Sequence, residues 1–297
     1  MLALLKESAF VMRYIRKLRG GSQPILAGAS DGHFYIVKFT NNLQGPNLAF
    51  NESMGAELYR ALRLPVPFWR PLEITDKFID RNPACWMETE TGMLRPSPGV
   101  CFASRYLGDA ETRLFEILPG NRFLQIENLK DFWLAWLVDI CAGHADNRQA
   151  IFREEGNGQL NAVFIDHGHM FRGPKGDEER HFRASAYLDL RIYQGTSSRF
   201  LVKLRKSVGN LDAEVLWKEA EYLPEAWKTD SALQSFARCL ETLSSAGLVA
   251  GVLDMIAGFR RPTDQRGSFD LQPEWQPPPS VLRPGIQAAG SVRSFVA

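Results

Sequence analysis

Ten residues near the middle of the chain, Phe132 to Cys141 (FWLAWLVDIC), are apolar except for Asp139. A bilayer-spanning helix needs about 20 such residues in a row. This run therefore reads as a buried helix, extending from about Asn128 to Ala142, and a buried helix needs a folded body around it. With 297 residues the chain has enough length for one large domain or for two lobes around a cleft.

The text on either side of this helix differs in kind. From Gly20 to about Leu107 it is strand-like and broken by turns. Ile25–Ala29 and His33–Thr40 flank Ser30-Asp31-Gly32, whose Asp-Gly step signals a hairpin. A helix is predicted from Leu48 to Arg63, with Asn47 as its cap and Pro65 and Pro67 beyond its end. Further strand-like pieces lie near Pro71–Ile74, Ala84–Glu88 and Val100–Tyr106. After the buried helix come strands at Ala150–Arg153 and Asn161–Asp166, then helices at about Ser198–Val208, Asp212–Tyr222, Ser231–Ser245 and Leu248–Phe259. Beyond Pro262 the chain is rich in Pro, Gly, Gln and Ser, and 263–297 is expected to be a poorly ordered tail. The change from β-rich to α-rich text falls near Gly108–Gly120, and a cleft between two such halves is a natural ligand site.

Charge and cysteine usage narrow the class. A net charge of +1 gives no reason to expect nucleic acid or a membrane surface as a partner. The four cysteines are far apart and form no CxxC pair, so free thiols in a reducing compartment are expected. The first seventeen residues lack the basic start and small-residue cleavage site of a signal peptide. Together these place the protein in the cytoplasm.

Four features carry chemistry. Gly20-Gly21-Ser22 precedes two strands, and glycines there let backbone N–H groups approach a phosphate, although such a pair is often only a turn. Lys38 shares a strand face with Phe34 and Ile36, where an ammonium needs an anionic partner unless it snorkels outward. Glu52 on the following helix is a candidate partner, with Glu57 its rival. The loop His144-Ala-Asp146-Asn147-Arg148-Gln149 follows the buried helix directly. There Asp146 can accept a proton, Arg148 can neutralise phosphate or fix Asp146, and Asn147 and Gln149 can reach a metal through oxygen; the alternative is a plain polar turn. Finally, the strand Val163–Ile165 ends in Asp166-His167-Gly168-His169, where Asp166 can hold Mg2+ and Gly168 permits a sharp turn. A zinc set of His144, Asp166, His167 and His169 is the poorer option, since the histidines are badly spaced and no cysteine joins them.

In this order the features make the parts of a phosphotransferase. They resemble the HipA-like kinases, which are similar in turn to the phosphoinositide kinases. The resemblance rests on Ile165-Asp-His-Gly-His169, on Asn51-Glu52 with Leu64-Pro-Val-Pro67 after Lys38, and on His144–Gln149 in the place of the catalytic loop. It covers roughly residues 20–200. It implies an α+β, two-lobed, protein-kinase-like fold. Residues 1–107 would form a β-rich N-lobe with one helix, 108–262 a helical C-lobe, and 263–297 the tail. The resemblance also places the adenine contact in Phe102–Leu107, at Ser104 and Tyr106, and puts Ala186–Asp189 with Arg191–Tyr193 in the loop after the metal-binding Asp. The implied cofactors are ATP and Mg2+ or Mn2+, and the implied acceptor is a protein Ser/Thr hydroxyl, with a lipid or small molecule left open. One departure stands out: Ile151 lies where the family has a metal-binding Asn, so Gln149 or Asn147 must serve. That departure keeps a nucleotide-binding pseudokinase in view as the rival; a metal-dependent hydrolase leaves Lys38 and the Gly-rich hairpin unexplained.

Overall fold

A computed structural model describes residues 9–108, 112–118, 122–154, 156, 158–178, 182–193 and 198–258. The expected tail at 263–297 lies outside the described residues. The first half builds a five-stranded antiparallel sheet from β1 (Val11–Lys17), β2 (Ile25–Ala29), β3 (Phe34–Lys38), β4 (Trp69–Ile74) and β7 (Gly99–Arg105). Their order is β1-β2-β3-β7-β4. Helix α1 (Leu48–Ala61) joins β3 to β4. A short helix, α2 (Asp76–Arg81), and the small hairpin of β5 (Met87–Thr89) and β6 (Gly92–Leu94) sit between β4 and β7.

The second half has a three-stranded sheet and a group of helices. β8 (Leu114–Phe115), β9 (Gln149–Glu154) and β10 (Leu160–Ile165) pair in the order β10-β9-β8. The apolar run becomes α3 (Asp131–Ala142), and α4 (Ser198–Gly209), α5 (Ala213–Glu221), α6 (Asp230–Ser244) and α7 (Ala246–Gly258) complete the body. Gly143 ends α3 in the left-handed conformation, at φ 62°. The helix leaves ten of its twelve side chains buried, as its composition demands. Among the described residues no single helix is long and apolar enough to cross a membrane.

Strand alternation sorts the first sheet into two faces. Ile25, Ala27, Tyr35, Val37, Cys101 and Ala103 point to one side and pack with Phe78 and Ile79 of α2. Ile36, Lys38 and Ser104 point to the other side, toward the second half of the molecule. Helix α1 comes from the first half of the sequence yet buries its side chains in the core of the second. Phe50 meets Phe171 and Phe236 edge-on, and Tyr59 meets Phe164 and His167. The reason is composition: α1 has buried residues at every position from Leu48 to Tyr59, so it must be enclosed from several sides.

Two local expectations are corrected. Strand β1 precedes the glycine pair, where no strand was read. Its register shifts between Val11 and Arg13 and again between Tyr14 and Arg16, and these bulges break the alternation that marks a strand. Asn47 stands before α1 but makes no side-chain cap. Its amide group is taken by Thr229 and Ser231 at the start of α6, with Asn47 Nδ2 to Ser231 Oγ at 3.0 Å.

Candidate active site

The two halves enclose a cavity of about 960 Å³. Gly21, Lys38, Ser104 and Tyr106 line it from the sheet, and Asp146 and Asp166 from the helical body. Lys38 ends β3 on the cleft face. Its ammonium is buried against Glu52 of α1, and Nζ lies 2.8 Å from Asp166 Oδ1. Glu57, the rival partner, bonds instead to Arg60 and to Trp69 Nε1. Burial alone would lower the Lys38 ammonium's proton affinity; the carboxylates of Asp166 and Glu52 outweigh it and push it above the ordinary lysine value. For Asp166, burial works the opposite way and Lys38 outweighs it, holding the carboxyl well below the usual range. Both groups therefore stay charged across the neutral range.

Asp166 sits just past β10 with φ 59°, a left-handed conformation that non-glycine residues avoid. Partners hold this turn from both sides. Glu52 accepts the N–H groups of His167 at 3.1 Å and Gly168 at 3.0 Å. On the opposite side Arg148 Nη1 donates to the Ile165 carbonyl at 2.9 Å. Helix α1 touches the turn closely at Gly55, where an added β-carbon would stand 2.5 Å from His167 Cβ and 2.7 Å from Met170 Sδ. Asn51 Nδ2 donates to the carbonyls of Gly168, Met170 and Gly173, all within 3.1 Å. The loop bearing Asp146 is joined to the same stretch through its backbone: Ala145 N–H meets the His169 carbonyl at 2.8 Å, and Phe171 N–H meets that of Ala142 at 2.9 Å.

Asp146 is half-buried, lines the cavity and accepts its neighbour Asn147's N–H at Oδ1. Gln149 brings its amide to Asp166, with Nε2 2.9 Å from Oδ2. Asn147, expected as another metal ligand, turns away; its Nδ2 donates to the carbonyls of Ala184 and Ala186 and holds that segment.

Arg148 departs furthest from expectation. It borders the cavity but pairs with Asp139 rather than with Asp146. Its side chain is fully buried, with Nε and Nη2 on the two oxygens of Asp139 at 2.8 and 2.7 Å. The physical reason lies in the apolar helix. Asp139 is its one charge past the first turn and is completely buried, so it requires a cation. That lone aspartate was the signal in the sequence for where Arg148 would point.

The glycine loop joins β1 to β2 and forms the cavity's roof. Gly20 has φ 125°, a conformation open to glycine, and Gly21 passes so near Gln44 that a β-carbon would lie 2.9 Å from its Nε2. Ser22 lines the same wall but is largely buried, and its carbonyl accepts Asn42 Nδ2. Gln44 was not anticipated. It lines the cavity, meets His169 Nε2 at 3.1 Å, and had no sequence signal beyond its place in the β3–α1 connection. Ser104 lies opposite Ile36 in the sheet, and the Tyr106 N–H donates to the Phe34 carbonyl, so both stand at the crossing between the halves. In the later loop Asp189 pairs with Arg191 at 2.6 Å, and Tyr187 bridges to Arg148.

The donor set bears on which metal this site suits. Among the described residues no three His, Cys, Asp or Glu side chains converge as a metal-binding group. His144 and His167 are buried in the interior, and His169 pairs with Glu178. Among the described residues, His144, Asp166, His167 and His169 therefore do not form a zinc centre. Mg2+ is commonly held through one or two carboxylates with phosphate and water supplying the rest. Asp166 fits that pattern; Gln149 would add an oxygen only if its amide, which now faces Asp166 with Nε2, rotated.

No protein-family model matches the chain, and no curated protein matches it significantly in sequence. Solved structures do match. A proinflammatory kinase of Helicobacter pylori, CtkA, superposes with a TM-score of 0.51 at 11% identity, over 79% of this chain and 95% of that one. A Golgi casein kinase gives 0.50 at 13% identity, over 86% of this chain and 76% of that one. The Golgi casein kinase with Mn/ADP bound gives 0.49 at 12%, over 85% and 75%. At such identities the likeness is one of fold: the chain has a two-lobed kinase-like architecture, with a β-sheet lobe and a helical lobe.

Proposed function

We propose that this protein is an ATP- and Mg2+-dependent phosphotransferase, and that it acts on a hydroxyl of a protein acceptor, as the HipA-like resemblance suggests. The observation that carries the reading is Lys38 Nζ lying between Glu52 and Asp166. A strand lysine, the glutamate fourteen residues after it on α1 and a strand-end aspartate 128 residues further along from the lysine meet across one cavity. A stable fold alone has no need of two buried charges and a third, half-buried one there.

When bound, ATP with its metal ion supplies the phosphoryl group and the leaving group. Lys38 donates to phosphate oxygens, and Glu52 keeps its ammonium aimed into the cleft. Asp166 would hold the metal, and the Gln149 amide could assist it. The loop at Gly20 and Gly21 offers backbone N–H groups without an intervening side chain. Asp146 Oδ1 is occupied by the Asn147 N–H, which leaves Oδ2 to take the proton of the acceptor hydroxyl. Catalysis then comes from positioning and charge neutralisation.

One observation favours a second reading, nucleotide binding without transfer. Gln149 rather than an asparagine stands at Asp166, and Ile151 occupies the family's metal-ligand position. The two readings separate in one experiment: purified protein is given Mg2+ and ATP, and phosphate on itself and on candidate acceptors is read by mass spectrometry. Transfer by wild type that is lost in Asp146→Asn supports the enzyme. Tight ATP binding with no transfer, and no effect of Asp146→Asn, supports the binding module.

A further inference from the structure

The proposed reaction leaves a fully buried ion pair, Asp139–Arg148, without a task. Stability does not account for it, because apolar side chains of similar volume commonly serve as well as a buried pair. What apolar side chains lack is donors, and Arg148 has donors left after Asp139 is satisfied. Its Nη1 donates to the Ile165 carbonyl at 2.9 Å and reaches the Asp166 carbonyl at 3.4 Å and His167 Nδ1 at 3.3 Å. These groups flank the residue held at φ 59°. Across the turn Glu52 takes the next two N–H groups. The pair is anchored in turn by Tyr59, whose hydroxyl donates to Asp139 Oδ1 at 2.7 Å while Arg148 Cζ stacks over its ring at 4.9 Å. Tyr59 and Glu52 belong to the same helix, so both sides of the clamp run back to α1.

We infer that Arg148 is a positioning residue: with Asp139 and Tyr59 it holds the carbonyl side of the Asp166 turn, as Glu52 holds the amide side, and so keeps the Asp166 carboxylate aimed at the cleft. What Asp166 does there rests on the phosphotransferase reading; what holds it does not. Arg148→Lys keeps a cation beside Asp139 but cannot span both the carboxylate and the carbonyls. The double variant Asp139→Leu with Arg148→Met removes the buried charges and the donors together.

Two measurements decide the matter. The first is amide hydrogen exchange in the peptide covering Asp166–Gly168, in the protein without ligand. The second is Mn2+ affinity, followed by electron paramagnetic resonance with a non-hydrolysable ATP analogue present. Arg148→Lys is expected to fold, to exchange faster at His167 and Gly168, and to bind Mn2+ about tenfold more weakly or worse, the scale for losing a partner of a metal ligand. Its affinity for the analogue without metal stays unchanged. The double variant shows the same losses even where its unfolding midpoint matches or exceeds that of wild type. Folded variants with wild-type exchange and wild-type Mn2+ affinity overturn the inference and leave the pair a structural one. If wild type itself binds no metal with the nucleotide, the phosphotransferase reading fails, while the exchange comparison still decides whether Arg148 holds the turn.

Discussion

On the sheet side of the cleft, Lys38 stands on an ordinary antiparallel strand, and simple alternation turns it toward the cavity while Val37 enters the core. On the helical side, Asp166 stands in a turn its own backbone disfavours, kept there by Glu52 and Arg148. The sheet half thus places its charge by local periodicity, and the helical half by contacts between residues more than a hundred positions apart in the case of Glu52. The helical half also includes α1, which the chain visits between two strands of the sheet. Glu52 and Asp166 therefore ride on one body and Lys38 on the other. Any relative movement of the halves is felt at the Lys38 contacts first.

The largest expected effect tests whether the clamped half has the use assigned to it. Asp166→Asn keeps the shape and removes the charge; transfer should fall by about 1000-fold or more in steady-state assays. A loss smaller than about tenfold would break the comparison, since a strained, doubly held turn would then serve nothing.

Acid should act on the helical body in particular, because it encloses two buried histidines. Burial, with the Arg148 guanidinium adding to it, pushes His144 down to about 4, and burial also pushes His167 well below its ordinary value. Such imidazoles are neutral in the folded protein but bind protons in the unfolded chain. Their stabilisation is therefore complete above about pH 6.5 and is lost as pH falls, for His144 as it passes toward about 4. For His144 the loss amounts to roughly 3 kcal/mol across that window. Below it Asp166 adds a further loss, because its depressed carboxyl stabilises the fold only while ionised. Urea unfolding at pH 7 and pH 4.5 measures the effect; His144→Leu should flatten the dependence, and an unchanged slope would count against buried neutral histidine as its source.

The third effect concerns chemistry at fixed binding. Asp146→Asn should slow transfer by about 100-fold while nucleotide affinity stays near wild type. Isothermal titration beside the transfer assay checks the pair; a parallel loss of both would move Asp146 from proton acceptor to ligand holder. The smallest effect tests whether α1 is tied to the helical body at its start. Asn47→Ala removes the link to Thr229 and Ser231 and should cost about 1 kcal/mol in urea unfolding. A neutral result would mean that apolar packing alone fixes that end of α1.

The difference between the halves also explains what could be read from the sequence. The Asp31-Gly32 hairpin, the facing of Lys38 and the buried helix α3 were legible because each is set by residues within a few positions of one another. The strand β1 was hidden because its bulges place Met12 and Arg13 consecutively in solvent. The side chain of Asn47 was misplaced because its partners lie about 180 residues away, in α6 and just before it. Arg148 was sent to the cleft because a charged residue beside Asp146 suggests chemistry, whereas the buried Asp139 nine positions earlier takes it inward.

Gly55 carries no functional group, yet it sets how sequences of this fold can diverge. Buried positions elsewhere in α1 can exchange one apolar side chain for another of similar size, but at 55 even one methyl group would push the helix off the His167 turn. Because Glu52 lies three residues earlier on the same helix, that displacement would pull it from the turn and from Lys38 together. Among descendants that keep the chemistry, position 55 should therefore be among the last to change. In lineages that abandon the chemistry, an alanine or serine there should be tolerated early, so that its arrival dates the loss before the charged residues themselves have disappeared.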